Sequence, residues 1–148
     1  MTQQPLSPVV KKVSVALSQE DAFDRFTREI HLWWPLGDRF SVGKEGSDTV
    51  SFGAGEGGDI VEHFKDGDKT VWGTVLVWQP PSVVRFTWHP GSERSANLIV
   101  QVNFSQVTGG TEVELTHTGW ENLGERGAAI RGGYEGGWDV VLGRYTEV

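Results

Sequence analysis

Between residues 48 and 118 the chain is cut into short segments of alternating apolar and polar residues by strong turn signals, and this run constrains the fold more than any other feature. Segments 48–52 and 59–64 flank the glycine-rich stretch Gly53-Ala54-Gly55-Glu56-Gly57-Gly58. Asp66-Gly67 reads as a hairpin turn into 70–78, which Pro80-Pro81 ends. Segment 83–88 runs up to His89-Pro90-Gly91, and the long segment 96–107 passes through Gly109-Gly110 into 111–118. Two-residue turns impose antiparallel neighbours. A seventh period-2 segment, 9–17, precedes the run, with Val13, Val15 and Leu17 alternating with Ser14 and Ala16.

Helical spacing takes over twice. Ser18 reads as an N-cap, with Glu20 and Asp21 in the first turn, where the helix dipole favours negative charge. Ala22, Phe23, Phe26 and Ile30 follow at helical intervals, and the helix is expected to end before Pro35, after Trp33-Trp34. At the other end, residues 122–146 place Ile130, Tyr134, Trp138, Val141, Leu142 and Tyr145 on one stripe, with Glu135 and Asp139 opposite. One flank of this segment carries Ala129, Gly133, Gly136, Val140 and Gly143. Each helical glycine costs about 1 kcal/mol relative to alanine. One reading therefore sets Gly133 and Gly136 against another backbone, from the N-terminal helices or from a second subunit in a homodimer. The other reading is a plain surface helix of modest stability.

The order strand, helical segment, six strands, long helix predicts an α+β helix-grip fold. In it a seven-stranded curved antiparallel sheet, with two short helices, wraps one long C-terminal helix. A length of 148 residues suits a single domain over 1–148, with residues 1–8 expected as a flexible tail. Cysteine is absent, which excludes thiolate chemistry and suits a reducing cytoplasm, the expected location. The net charge is −7 with no basic cluster, so neither nucleic acid nor an anionic membrane surface is an expected partner. No apolar run approaches the roughly 20 residues that span a bilayer. Seven tryptophans in so small a chain imply an aromatic core or an aromatic-lined cavity.

Several stretches carry a resemblance. They are Gly57-Gly58-Asp59-Ile60-Val61-Glu62, Val71-Trp72-Gly73-Thr74-Val75, Trp78-Gln79-Pro80-Pro81, Val84-Arg85-Phe86-Thr87-Trp88, the run from Gly109 to His117, and Gly137-Trp138 before Leu142. With them the chain resembles the activator-of-Hsp90-ATPase-homologue-1-like (AHSA1-like) branch of the SRPBCC (START/Bet v 1-like) superfamily, from about Val13 to Tyr145. The resemblance implies a cavity between sheet and C-terminal helix, used across the superfamily for lipids, hormones and aromatic metabolites. The family takes its name from a co-chaperone with a separate N-terminal domain, and no such second domain is expected within these 148 residues.

Strand alternation assigns the cavity-facing side chains. Leu98, Val100, Val102 and Phe104 share one face, as do Val113, Leu115 and His117, and Val84, Phe86 and Trp88. Ile60, Glu62 and Phe64 form another set, and in 70–78, apolar on both faces, Trp72 and Leu76 are assigned inward. The candidate ligand-binding residues are Trp33, Trp34, Ile60, Glu62, Trp72, Phe86, Trp88, Val102, His117 and Trp138. Glu62 and His117 are the polar members. Two accounts of them stay open: they pair or hold a ligand's polar group inside the cavity, or His117 bonds backbone at the strand end while Glu62 sits at the rim. Trp33-Trp34 reads either as a cap on the cavity mouth or as core.

His31, His63 and His89 show no metal-ligand spacing, and no nucleophile elbow or P-loop occurs, so no metal or cofactor is expected. The leading expectation is a carrier or sensor of a small hydrophobic or aromatic molecule. The alternatives are an enzyme using Glu62 and His117 as acid and base, and a protein-interaction or co-chaperone-like module.

Overall fold

A computed structural model describes residues 7–36, 42–89 and 98–147. The expected tail is described only at residues 7 and 8, and the expected start of the long segment at Ala96 and the turn residues Pro90 and Gly91 lie outside the described residues.

Seven strands form one antiparallel sheet: β1 (Val9–Val15), β2 (Ser47–Phe52), β3 (Asp59–Phe64), β4 (Lys69–Gln79), β5 (Val83–Thr87), β6 (Ile99–Val107) and β7 (Gly110–Thr118). Their order across the sheet is β1-β7-β6-β5-β4-β3-β2. The strands after the first helix pair as sequential hairpins, and β1 closes the far edge on β7, with Val9 opposite His117. The inner face is the expected one for Val84, Phe86 and Trp88, for Leu98, Val100, Val102 and Phe104, and for Val113, Leu115 and His117, all buried. This is the helix-grip α+β fold.

β4 departs from simple alternation. Ile60 pairs with Gly73 but Val61 pairs with Val71, which leaves Trp72 as an extra residue. Val75 pairs with Phe86 but Val77 pairs with Arg85, which leaves Leu76 as a second. Each bulge shifts the parity by one. Leu76 therefore faces outward, 40% exposed, and the expectation that it points inward is corrected; Val75 takes the inner position. The bulged strand lies so close to β5 that a Cβ on Gly73 would overlap the Thr87 carbonyl oxygen. Gly73→Ala must push the β4 and β5 backbones away from each other, and we expect a loss of about 2 kcal/mol, read from urea unfolding midpoints.

Helix α1 (Gln19–Phe26) starts where Ser18 accepts a hydrogen bond from the Asp21 N–H at 3.1 Å. It stops earlier than its apolar spacing suggests. Thr27 turns its hydroxyl onto the Phe23 carbonyl at 2.8 Å and leaves the helical region, and a 3-10 turn, Ile30–Leu32, then delivers Trp33 and Trp34 inward. Phe23 and Phe26 pack on Phe104, with ring centroids 5.2 and 5.9 Å apart.

Two 3-10 turns within Trp120–Arg126, kinked at Gly124, lead into α2 (Gly127–Thr146), which lays Trp138, Val141, Leu142 and Tyr145 on the sheet, with Ile130 and Tyr134 half-buried. Tyr145 donates to the Ala22 carbonyl at 2.8 Å and so ties α2 to α1. The glycine flank of α2 faces away from all of this. Gly133 and Gly136 are exposed, and a Cβ on either would meet nothing within 4 Å. Among the described residues no other part of the chain approaches either glycine, so the reading that sets them against the N-terminal helices is corrected.

Candidate functional site

The sheet's concave face and α2 enclose a layer of four indoles. Trp72 comes from the β4 bulge, Trp88 from the end of β5, Trp138 from α2, and Trp34 from the segment after the 3-10 turn. Trp34 contacts the other three, with centroids 5.2 Å from Trp72, 5.7 Å from Trp88 and 6.1 Å from Trp138. Trp88 bridges Trp72 at 5.6 Å and Trp138 at 5.5 Å. All four are buried. Tilted and edge-on ring pairs at such distances each add about 0.5–1.5 kcal/mol beyond area burial.

A buried polar side chain stands at each end of this layer. At the β3 end is Glu62, fully buried. Its Oε1 accepts from the Val42 N–H at 2.8 Å and from the Trp72 indole at 3.0 Å, and its Oε2 accepts from the Gly43 N–H at 2.8 Å. Two successive backbone amides and an indole thus cap the carboxylate, an anion-holding arrangement. Glycine at 43 eases this approach: a Cβ there would lie 2.6 Å from the Phe64 ring and 3.1 Å from Oε2, so a side chain would have to displace Phe64.

At the β7 end is His117, also fully buried. Trp138 donates its indole N–H to Nδ1 at 2.9 Å. An indole can only donate, so Nδ1 must be the bare nitrogen, and the neutral ring carries its proton on Nε2. Among the described residues, that Nε2 has no hydrogen-bond partner. Trp120 packs on the ring at 4.2 Å and Tyr134 at 4.9 Å. Burial drives the imidazole pKa from 6.5 down to about 3, so the ring is neutral at pH 7. Burial also raises the Tyr134 hydroxyl, an effect opposed by the nearby Trp88 indole.

Glu62 and His117 therefore do not pair. They stand at opposite ends of the chain Glu62–Trp72–Trp88–Trp138–His117, which corrects the expected pairing and also the rim-and-backbone account. Glu62 is buried rather than at a rim, and His117 is held by a side chain rather than by backbone. Among the other expected residues, Phe86 joins the layer through Trp88 at 5.7 Å. Ile60 and Val102 are buried on the sheet, Val102 in register between Val84 and Leu115. Trp33 is drawn toward α1, donating to the Arg25 carbonyl at 2.6 Å and packing on Tyr145 at 5.1 Å.

Phe64 is only half-buried. Trp120 and Tyr134 were not in the expected set. Tyr134 was within reach of the sequence, lying four residues before Trp138 on the same stripe. Trp120 was not, because its placement depends on the left-handed turn at Gly119, φ +101°. Among the described residues no three His, Asp or Glu side chains converge as a metal site, and no helix is long and apolar enough to cross a membrane.

Residues 15–147 match the family described as activator of Hsp90 ATPase homolog 1-like protein, AHSA1. The chain belongs to this family. Curated proteins offer this AHSA1-like chain no match. Among solved structures it is similar to the Bacillus halodurans protein BH1534, with 17% identity over 98% of both chains and a TM-score of 0.69. It is similar to the Aha1 dimer from Colwellia psychrerythraea, with 19% identity over 96% of this chain and 95% of that one, TM-score 0.66. It is also similar to the anthrahydroquino-gamma-pyrone synthase Txn09, with 24% identity over 99% of both chains, TM-score 0.62. At these identities the AHSA1-like chain shares a fold with each of them.

Proposed function

We propose that this AHSA1-like protein binds a small hydrophobic or aromatic molecule between its sheet and α2, at the tryptophan layer. The observation that supports this reading is the composition of that layer. Four touching indoles, flanked by two buried polar side chains, have the make-up of a ligand site, which is mostly apolar with a few placed polar groups. Trp34 is the member of the layer on which an opening would turn. It is carried by the short segment after α1 rather than by the sheet or α2, so a rotation there opens the layer without breaking a strand pairing.

Binding is favoured over catalysis because neither polar group is free for proton transfer. Three N–H donors already hold the Glu62 carboxylate, and the one basic nitrogen of His117, Nδ1, is taken by the Trp138 indole. The test is titration with N-phenyl-1-naphthylamine, an uncharged apolar probe, read by its fluorescence and by tryptophan quenching. Saturable one-to-one binding is expected, weakened about fivefold by Trp88→Phe, which thins the wall but keeps the fold. Absence of saturable binding contradicts the proposal.

A further inference from the structure

The orphaned nitrogen of His117 says something about the ligand that the layer's apolar character does not. A buried donor with no acceptor carries an uncompensated desolvation cost, and the great majority of buried polar groups in native proteins have partners. Here the tautomer is fixed. The Trp138 indole holds Nδ1 at 2.9 Å, so the proton resides on Nε2, and the ring cannot turn that edge into an acceptor without losing the bond to Trp138. Three aromatic rings pack on the imidazole, those of Trp120, Tyr134 and Trp138, none of them charged near neutrality. None of these three rings is a cation that could meet a carboxylate, and an ammonium would set donor against donor.

We propose that the end of the bound molecule lying against β7 is an uncharged hydrogen-bond acceptor, a ketone, quinone or ester carbonyl, taken by the Nε2–H of His117. This rests on the ligand-binding reading above and assigns His117 a role in selecting the ligand. Burial strengthens the selection, since the imidazole stays neutral through the physiological range and never attracts an acid.

Three probes on one scaffold test it: 2-acetonaphthone, the near-isosteric 2-ethylnaphthalene, and 2-naphthoate. The ketone is expected to bind at least tenfold more tightly than the other two, because only it satisfies the donor without bringing a charge. In nitrogen-15 spectra of the wild-type protein, the His117 Nε2 resonance is expected to move with the ketone and to stay in place with the hydrocarbon. His117→Phe is expected to erase the ketone's advantage while hydrocarbon affinity persists. Should that variant not fold, the wild-type comparison alone decides. Equal affinity for ketone and hydrocarbon, with a motionless Nε2 signal, overturns the inference and leaves the ligand site standing, the donor then being served by a resident water. Binding of neither probe overturns both.

Discussion

Glu62→Gln is expected to lower the unfolding free energy by about 3 kcal/mol. The carboxylate accepts three N–H bonds in a fully buried position. The amide has one oxygen. Turned to keep Val42 and Trp72, it presents its NH₂ to the Gly43 N–H, and a charge-assisted bond becomes a clash of donors. Hydrogen bonds to charged groups contribute about 1.5–3 kcal/mol each, and an unsatisfied buried donor adds a similar penalty. Trp72→Phe removes one of the three donors and also thins the layer against Trp34 and Trp88, and should cost about 3 kcal/mol as well. The two changes share a partner, so the double variant should lose less than their sum. Urea unfolding with an unchanged slope measures all three, and faster amide exchange at Val42 and Gly43 marks the freed loop. A Glu62→Gln protein as stable as the wild type would mean that the carboxylate is not structural, and would reopen its use as an acid or base.

Acid should weaken the protein through His117. Its pKa is 6.5 in the unfolded chain and about 3 when folded. Between those values the unfolded state binds more protons, so stability is fully present above about pH 6.5 and falls as the pH drops toward 3. The loss runs at about 1.4 kcal/mol per pH unit, or about 2 kcal/mol between pH 7 and pH 5 and several kcal/mol over the whole window. His117→Asn retains an acceptor for the Trp138 indole and has nothing to titrate there. Its stability should therefore fall less between pH 7 and pH 5, by the same 2 kcal/mol, in paired urea titrations. Parallel pH profiles for the two proteins would show that the imidazole charges as easily in the folded state as in the unfolded one.

These two residues differ in how far the sequence exposed them. His117 follows from parity, because β7 alternates without a bulge from Gly110 to Thr118. Its partner follows from the helical stripe that carries Trp138. Glu62 also has the right parity, but its partners are backbone amides at Val42 and Gly43, and a backbone donor leaves no mark in residue type. The inner face of β5 and β6 was legible for the same reason as that of β7. β4 was not, because two bulges within one strand, at Trp72 and at Leu76, shift the parity twice, and a strand apolar on both sides gives no signal of where the shift falls. The tryptophan count announced an aromatic centre. Which indoles meet was set by tertiary placement: the early end of α1 brings Trp34 onto Trp72, Trp88 and Trp138 and leaves Trp33 beside Tyr145.

The ligand site itself is tested most directly by the seven indole N–H resonances of the protein, followed during addition of N-phenyl-1-naphthylamine. The signals of Trp34, Trp72, Trp88 and Trp138 are expected to shift together and to saturate at one equivalent. Trp78, packed 5.1 Å from Phe23 near α1, should remain in place. Shifts at Trp78 without the other four, or no shift in any of the seven, would contradict a site between the sheet and α2.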